Sequence, residues 1–298
     1  MPFDSAYEAI TEENDSQRWA FGTGFTDPLA GVDTRVPSGV DGADLAAYCL
    51  MLGDDALIMS HRLQQWLAKA PELEEETALA NIALDLLGQA RLLLSRAGAA
   101  AAQHGGPMLT EDDLAFGRTE RAFRNVRLAE GSDGDFAALM ARLLVFSTWR
   151  LALLGQLRES ADPVLAAVAA NGVKELAYHR DYAARWVIRL GDGTDYSHER
   201  MAAGLATVAP LVPELFEPTE IEARLVAAGV AVDPAGLRPE FDAVLGVVLP
   251  EATLEWPGAP GLAGVGGKAG REGVHTEAMG YLLAELQSTA RAMPGATW

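Results

Sequence analysis

From about residue 44 to residue 190 the apolar side chains return every three and four positions, the spacing of a single helix face. The pattern is clearest at Leu79, Ile82, Ala83, Leu86, Ala90, Leu93 and Leu94. Start and stop signals divide it into helices. A first helix runs from Asp44 toward Ala68 and is ended by Pro71, and a second runs from about Leu73 to Ala101. A short helix is expected from Glu111 to Leu128, opened by Thr110 as a cap with Asp113 three residues on. A third long helix starts after Gly134 and reaches about Glu159. Leu139, Leu143, Phe146, Arg150 and Leu153 or Leu154 mark its stripe. Asp162-Pro163 opens the fourth, because Asp caps and Pro suits a first helical position. It runs to Leu190 and stops at Gly191-Asp192-Gly193. Each long helix holds about 25 residues and measures about 38 Å.

The links between these helices are short, long and short, the long one being residues 102–133. Four helices joined in that way describe an all-α, ferritin-like four-helix bundle with a crossover connection. Alternating strand patterns do not occur before about residue 250. The last third is broken into short helices by Pro210, Pro213, Pro218, Pro234, Pro239, Pro250, Pro257 and Pro260. Residues 258–273 are rich in glycine and read as a flexible loop, and a last helix is expected over about Thr276 to Met293. The domain thus covers 44–298, with the bundle over about 44–190 and a C-terminal helical satellite over about 191–298. Residues 1–43 show no helical period and are expected to form an extended or partly disordered N-terminal arm. That arm is either a mobile tail or a wrap for a partner.

Composition narrows the partners. The chain has 298 residues, 49% of them hydrophobic, and a formal net charge of −19 from 42 acids and 23 bases. Such a surplus of acid argues against nucleic acid and anionic membrane surfaces as partners. The lone cysteine, Cys49, rules out an intrachain disulfide and a cysteine-rich metal site. There is no basic start followed by an apolar run, and no apolar stretch looks long and charge-free enough to span a bilayer. A cytoplasmic protein is expected.

Di-metal bundles take one Glu from each of two helices and a Glu-x-x-His pair from each of the other two. At the matching places this chain has Leu86 with Gln89 and Leu176 with His179. Leu ligates no cation, and an amide is a weak substitute for imidazole. Asp85 and Glu175 precede those leucines by one position, about 100° around the helix, and could pair with Gln89 and His179. With Asp55 from the first helix, the residual metal candidates are Asp55, Asp85, Glu175 and His179. The alternative for them is a buried polar network. Near the middle of the third helix stand Ser147, Thr148 and Trp149, none of them an acid.

One basic feature stands out. Arg118, Arg121, Arg124 and Arg127 recur every third residue, with Phe123 and Asn125 interleaved. Such a row suits phosphate groups or an acidic partner; the alternative is salt bridges to Glu111, Asp112, Asp113, Glu120 and Glu130. Arg224, isolated among uncharged and acidic residues, is a weaker candidate for the same role.

Several segments carry a family resemblance. They include Gly53-Asp54-Asp55-Ala56-Leu57-Ile58, the run from Ala78 through Arg91, Phe123-Arg124-Asn125, Tyr178-His179-Arg180, Arg189-Leu190-Gly191-Asp192-Gly193-Thr194, His275-Thr276-Glu277 and the terminal Pro294-Gly295-Ala296-Thr297-Trp298. Over about residues 45–298 the chain resembles the structural, non-catalytic subunit of the bacterial multicomponent phenylacetyl-CoA 1,2-epoxidase. That resemblance implies a ferritin-like fold that binds no cofactor of its own. It implies as partners a homologous catalytic subunit holding di-iron and other epoxidase subunits, a reductase among them. It also implies that the chain stabilises the catalytic subunit and contacts the CoA part of phenylacetyl-CoA through Ala122, Phe123, Arg124 and Asn125, with Arg224 as a further candidate. The residues themselves leave two alternatives open: a di-metal carboxylate oxygenase in its own right, and a non-enzymatic scaffold.

Overall fold

In a computed structural model, residues 29–132 and 134–296 are described. The long helices begin where the caps put them. Asp41 accepts the backbone N–H groups of Ala43 and Asp44 and opens α1 (Gly42–Gln64). α2 spans Leu73–Gln103. Asp135 and Asp162 cap α4 (Phe136–Leu157) and α5 (Pro163–Gly191), each accepting an N–H from the first turn. The short α3 (Glu111–Phe116) is closed by the reciprocal Thr110–Asp113 box. Five more helices follow: α6 (Asp195–Val208), α7 (Glu220–Ala227), α8 (Arg238–Glu251), α9 (Glu277–Leu286) and α10 (Ser288–Ala292). Among the described residues there is no strand beyond an isolated bridge between Val265 and Lys268.

α1 packs along α2, α4 along α5, and α2 faces α5, which closes the four-helix bundle. The residues after Gly191 wrap two of its sides. α6 lies on α4, α8 on α4 and α5, and α7 on α1. Gly204 permits the approach of α6, since a Cβ there would sit 3.0 Å from the backbone of Ala137 and Ala138. Burial records the asymmetry. In α1, 17 of 23 residues are buried, and in α4, 18 of 22. In α2 only 12 of 31 are buried, and in α5 only 10 of 29. The α2/α5 side of the bundle is therefore its open side.

The structure differs from the sequence expectations at four places. The helix expected over Glu111 to Leu128 ends at Phe116, and two short 3-10 turns, Glu120–Ala122 and Arg127–Ala129, replace the rest. The first helix ends at Gln64, and a separate turn covers Leu67–Lys69. The glycine-rich stretch 258–273 is pinned. Arg127 donates to the carbonyls of Leu262 at 2.9 Å and Ala263 at 3.0 Å, and the Gly270 N–H reaches Glu214 Oε1 at 3.0 Å. By length and composition α2 and α4 are both apolar enough to cross a membrane. α4 is nevertheless wholly buried in its apolar window, while α2 is buried over 44% of its own. Of the expected N-terminal arm, residues 1–28 lie outside the described residues. Near its end the chain is tied to α2, with Val36 N–H donating to Gln103 Oε1 at 2.9 Å and Arg96 Nη1 to Thr34 O at 2.5 Å.

Candidate functional site: the bundle centre and the crossover strip

The places that would hold metal ligands are occupied by other chemistry. Leu86 and Leu176 are fully buried. Gln89 Nε2 donates to Glu175 Oε2 at 2.8 Å, and Gln89 Oε1 accepts from Arg150 Nε at 3.0 Å. Gly172 leaves room for that amide, because a Cβ there would lie 3.2 Å from Gln89 Nε2. Arg150 is fully buried; its Nη1 donates to the Leu52 carbonyl at 3.2 Å, and its Nη2 finds no partner. Burial pushes the guanidinium down to about 10, against the pull of Asp55 and Glu175, and leaves it charged at neutral pH. Burial raises the Glu175 carboxyl, and the Gln89 hydrogen bond opposes that rise. One turn along, His179 Nε2 lies 2.9 Å from Asp85 Oδ2, while His179 Nδ1 is unpartnered.

This donor set does not fit a pair of divalent metals. Two of the required positions are hydrocarbon, one is an amide, and a fixed guanidinium already supplies positive charge there. The structure brings Asp85 and His179 together and leaves Glu175 on Gln89, but it takes Asp55 away. Among the described residues no three His, Cys, Asp or Glu side chains gather as a metal site.

Asp54 and Asp55, both buried, serve the crossover instead. Asp54 accepts both terminal nitrogens of Arg118, with Nη1 at 2.9 Å, and the Arg124 backbone N–H at 2.8 Å. Burial drives its carboxyl upward and Arg118 opposes this. Asp55 accepts the Val126 N–H at 2.8 Å and Arg271 Nη1 and Nη2 at 3.0 and 2.9 Å. Two acids on α1 therefore seize alternate N–H groups of an extended strip, and two arginines balance their charge.

On that strip Phe123 and Asn125 are fully buried, and Ala122 and Arg124 are half-buried. The Arg118 guanidinium covers the Phe123 ring, 4.1 Å from its centroid. The arginine row is not a helical ridge. Arg118 pairs with Asp54, Arg127 with Glu214 at 2.7 Å, Arg124 donates to the Arg271 carbonyl at 2.9 Å, and Arg121 is exposed. The expected bridges from this row to Glu111, Asp112, Asp113, Glu120 and Glu130 do not form among the described residues. Arg224 stands apart, paired with Asp44 at 2.6 Å, ten residues or about 15 Å along α1 from Asp54.

Below the strip lies a clasp that no sequence motif marks. Glu130 is fully buried. Its Oε1 meets His275 Nδ1 at 2.5 Å and Asn125 Nδ2 at 3.0 Å. Its Oε2 accepts the Thr276 N–H and hydroxyl, both at 2.7 Å. His275 Nε2 donates to the Phe123 carbonyl at 3.1 Å. Burial would lower the His275 pKa, but Glu130 outweighs it and raises it. The clasp binds the start of the C-terminal helices to the crossover. Its partners lie some 145 residues apart in the chain, so no local pattern announces it.

An all-helical, ferritin-like bundle whose centre holds leucines, an amide and a guanidinium defines the class of this protein. The chain belongs to the phenylacetic acid catabolic protein family, whose model matches residues 33–298. It is similar to one of the subunits of the 1,2-phenylacetyl-CoA epoxidase of Escherichia coli (strain K12). The two are 43% identical over 254 residues, which cover 85% of this chain and 99% of the relative.

Proposed function

We propose that the chain is the non-catalytic subunit of a multicomponent phenylacetyl-CoA epoxidase and stabilises a homologous subunit that carries the di-iron centre. The observation that carries this reading is the bundle centre. Leu86 and Leu176 stand where carboxylate donors would be required, Gln89 stands where an imidazole would, and the buried Arg150 holds that amide. Similarity to a subunit of such an enzyme, over nearly its whole length, supports the assembly. The same reading gives the crossover strip a contact with the CoA moiety. Burial of Phe123 and Asn125 leaves Ala122 and the Arg124 guanidinium as the groups able to touch it, and a guanidinium suits a phosphate.

The test reconstitutes the epoxidase from purified subunits with and without this chain. Turnover of phenylacetyl-CoA should require the chain, and iron should co-purify with its partner. Stoichiometric iron and oxygen activation in the isolated chain would overturn the reading. Arg124→Glu should weaken acyl-CoA binding by the assembled complex about tenfold, as loss of one charged contact does; unchanged binding removes the CoA contact.

A further inference from the structure

Residues 270–276 lie against the crossover strip, and glycine at two positions permits the approach. A Cβ on Gly270 would sit 2.2 Å from the Asn125 carbonyl oxygen, and one on Gly273 2.2 Å from that of Arg121. Gly273 also takes a left-handed φ of +76°, which favours glycine. Between these glycines the segment and the strip are joined in both directions. Arg271 Nη1 donates to the Arg124 carbonyl, and Arg124 Nη1 donates to the Arg271 carbonyl, each at 2.9 Å. The Arg271 carbonyl therefore sets where the half-buried Arg124 guanidinium points. Glu214 holds the start of the segment through the Gly270 N–H. Glu130 holds its end through His275 and Thr276.

That end depends on a proton. Both ring nitrogens of His275 meet acceptors, Nδ1 the Glu130 carboxylate at 2.5 Å and Nε2 the Phe123 carbonyl at 3.1 Å. A neutral imidazole carries one N–H, so only the imidazolium satisfies both. Loss of the proton sets a ring lone pair against a carboxylate or a carbonyl. The charges that face the ring come from three places. Glu130 and Glu120 of the crossover both favour the cation. α1 brings Arg62, whose Nε donates to the Glu130 carbonyl at 2.7 Å. The segment itself carries Glu272 and, at the start of α9, Glu277. Resting on the CoA contact proposed above, we infer that His275 is a positioning residue for it. The imidazolium holds Arg124 aimed at a CoA phosphate through the 270–276 segment, and deprotonation releases the segment and weakens acyl-CoA binding. By reciprocity, bound acyl-CoA holds the His275 proton more tightly. The titration of a CoA phosphate runs the other way. It gains negative charge above about pH 6 and so favours a guanidinium more as pH rises, which gives the two effects opposite signs.

The experiment measures phenylacetyl-CoA binding to the assembled epoxidase complex, without reductant, by calorimetry from about pH 6 to about pH 9. The chain is wild type, His275→Gln or His275→Lys, each checked for folding by circular dichroism. Gln donates a hydrogen bond without titrating, and Lys keeps a cation up to about pH 10. Relative to His275→Gln, wild-type affinity should fall about tenfold across the interval, as loss of one charged hydrogen bond does. His275→Lys should keep its affinity at the upper end. Binding at about pH 8 should take up protons in wild type, read from buffers of different ionisation enthalpy, and His275→Gln should abolish that uptake. A role in stability alone would leave the pH profile and the uptake unmoved. Parallel profiles for wild type and His275→Gln, with Arg124→Glu still weakening binding, would overturn this inference and leave the CoA contact standing. Binding that Arg124→Glu leaves unchanged would overturn both. If neither His275 variant folds, wild-type binding without proton uptake would by itself overturn the inference.

Discussion

Replacing His275 with alanine removes one arm of the clasp that ties the C-terminal helices to the crossover. The structure sets the size of the loss. Glu130 accepts from four donors, at 2.5, 3.0, 2.7 and 2.7 Å. Three remain after the substitution, so the carboxylate is not stranded and the cost falls below the full penalty of an unpaired buried charge. One hydrogen bond to a charged group, about 1.5–3 kcal/mol, is lost, along with the bond to the Phe123 carbonyl, about 1 kcal/mol. The total is about 3 kcal/mol, read as the change in urea midpoint at constant slope. The pH dependence has a definite sign. Glu130 raises the folded-state pKa of His275 above its ordinary 6.5. The stabilisation is therefore complete below about pH 6.5 and is lost as pH rises through the raised value. The stability gap between wild type and His275→Gln should shrink as pH rises across that window. A gap that widens with pH, or a loss under about 1 kcal/mol for His275→Ala, would refute the clasp.

Two further predictions concern the bundle interior. Arg150→Ala removes the cation buried against Gln89 and the Leu52 carbonyl, and it should cost about 3–5 kcal/mol in equilibrium unfolding; a loss under about 1 kcal/mol would show that the centre does not depend on that charge. Cys49 is fully buried, and burial pushes its thiol far above the usual range. It should resist a disulfide reagent at pH 8 in the native chain and react at once in urea; rapid native reaction would contradict the packing of α1.

The helices were legible because their signals are local. The Asp162-Pro163 start, the Thr110–Asp113 box and the stripe through Leu86 and Leu93 each act within a turn or two. The lack of Glu-x-x-His pairs was legible for the same reason, since a spacing of three on one helix can be checked without a structure. The crossover was not. Four arginines at every third residue imitate a helix, but the strip is drawn out by Asp54 and Asp55, about 70 residues earlier in the chain. Arg150 did leave a trace: it is the one charged residue in the mostly apolar run from Leu143 to Leu154. Its role as the central cation needed the positions of Gln89, Leu52 and Glu175, which only the packed bundle supplies.

A guanidinium at the heart of a bundle differs from an ion in how it arrives. It is made by the ribosome with the rest of the chain, in fixed proportion, and no chelator can withdraw it. The electrostatic balance around Arg150 is thus complete once the helices close. A cell starved of iron would still fill this fold to its centre.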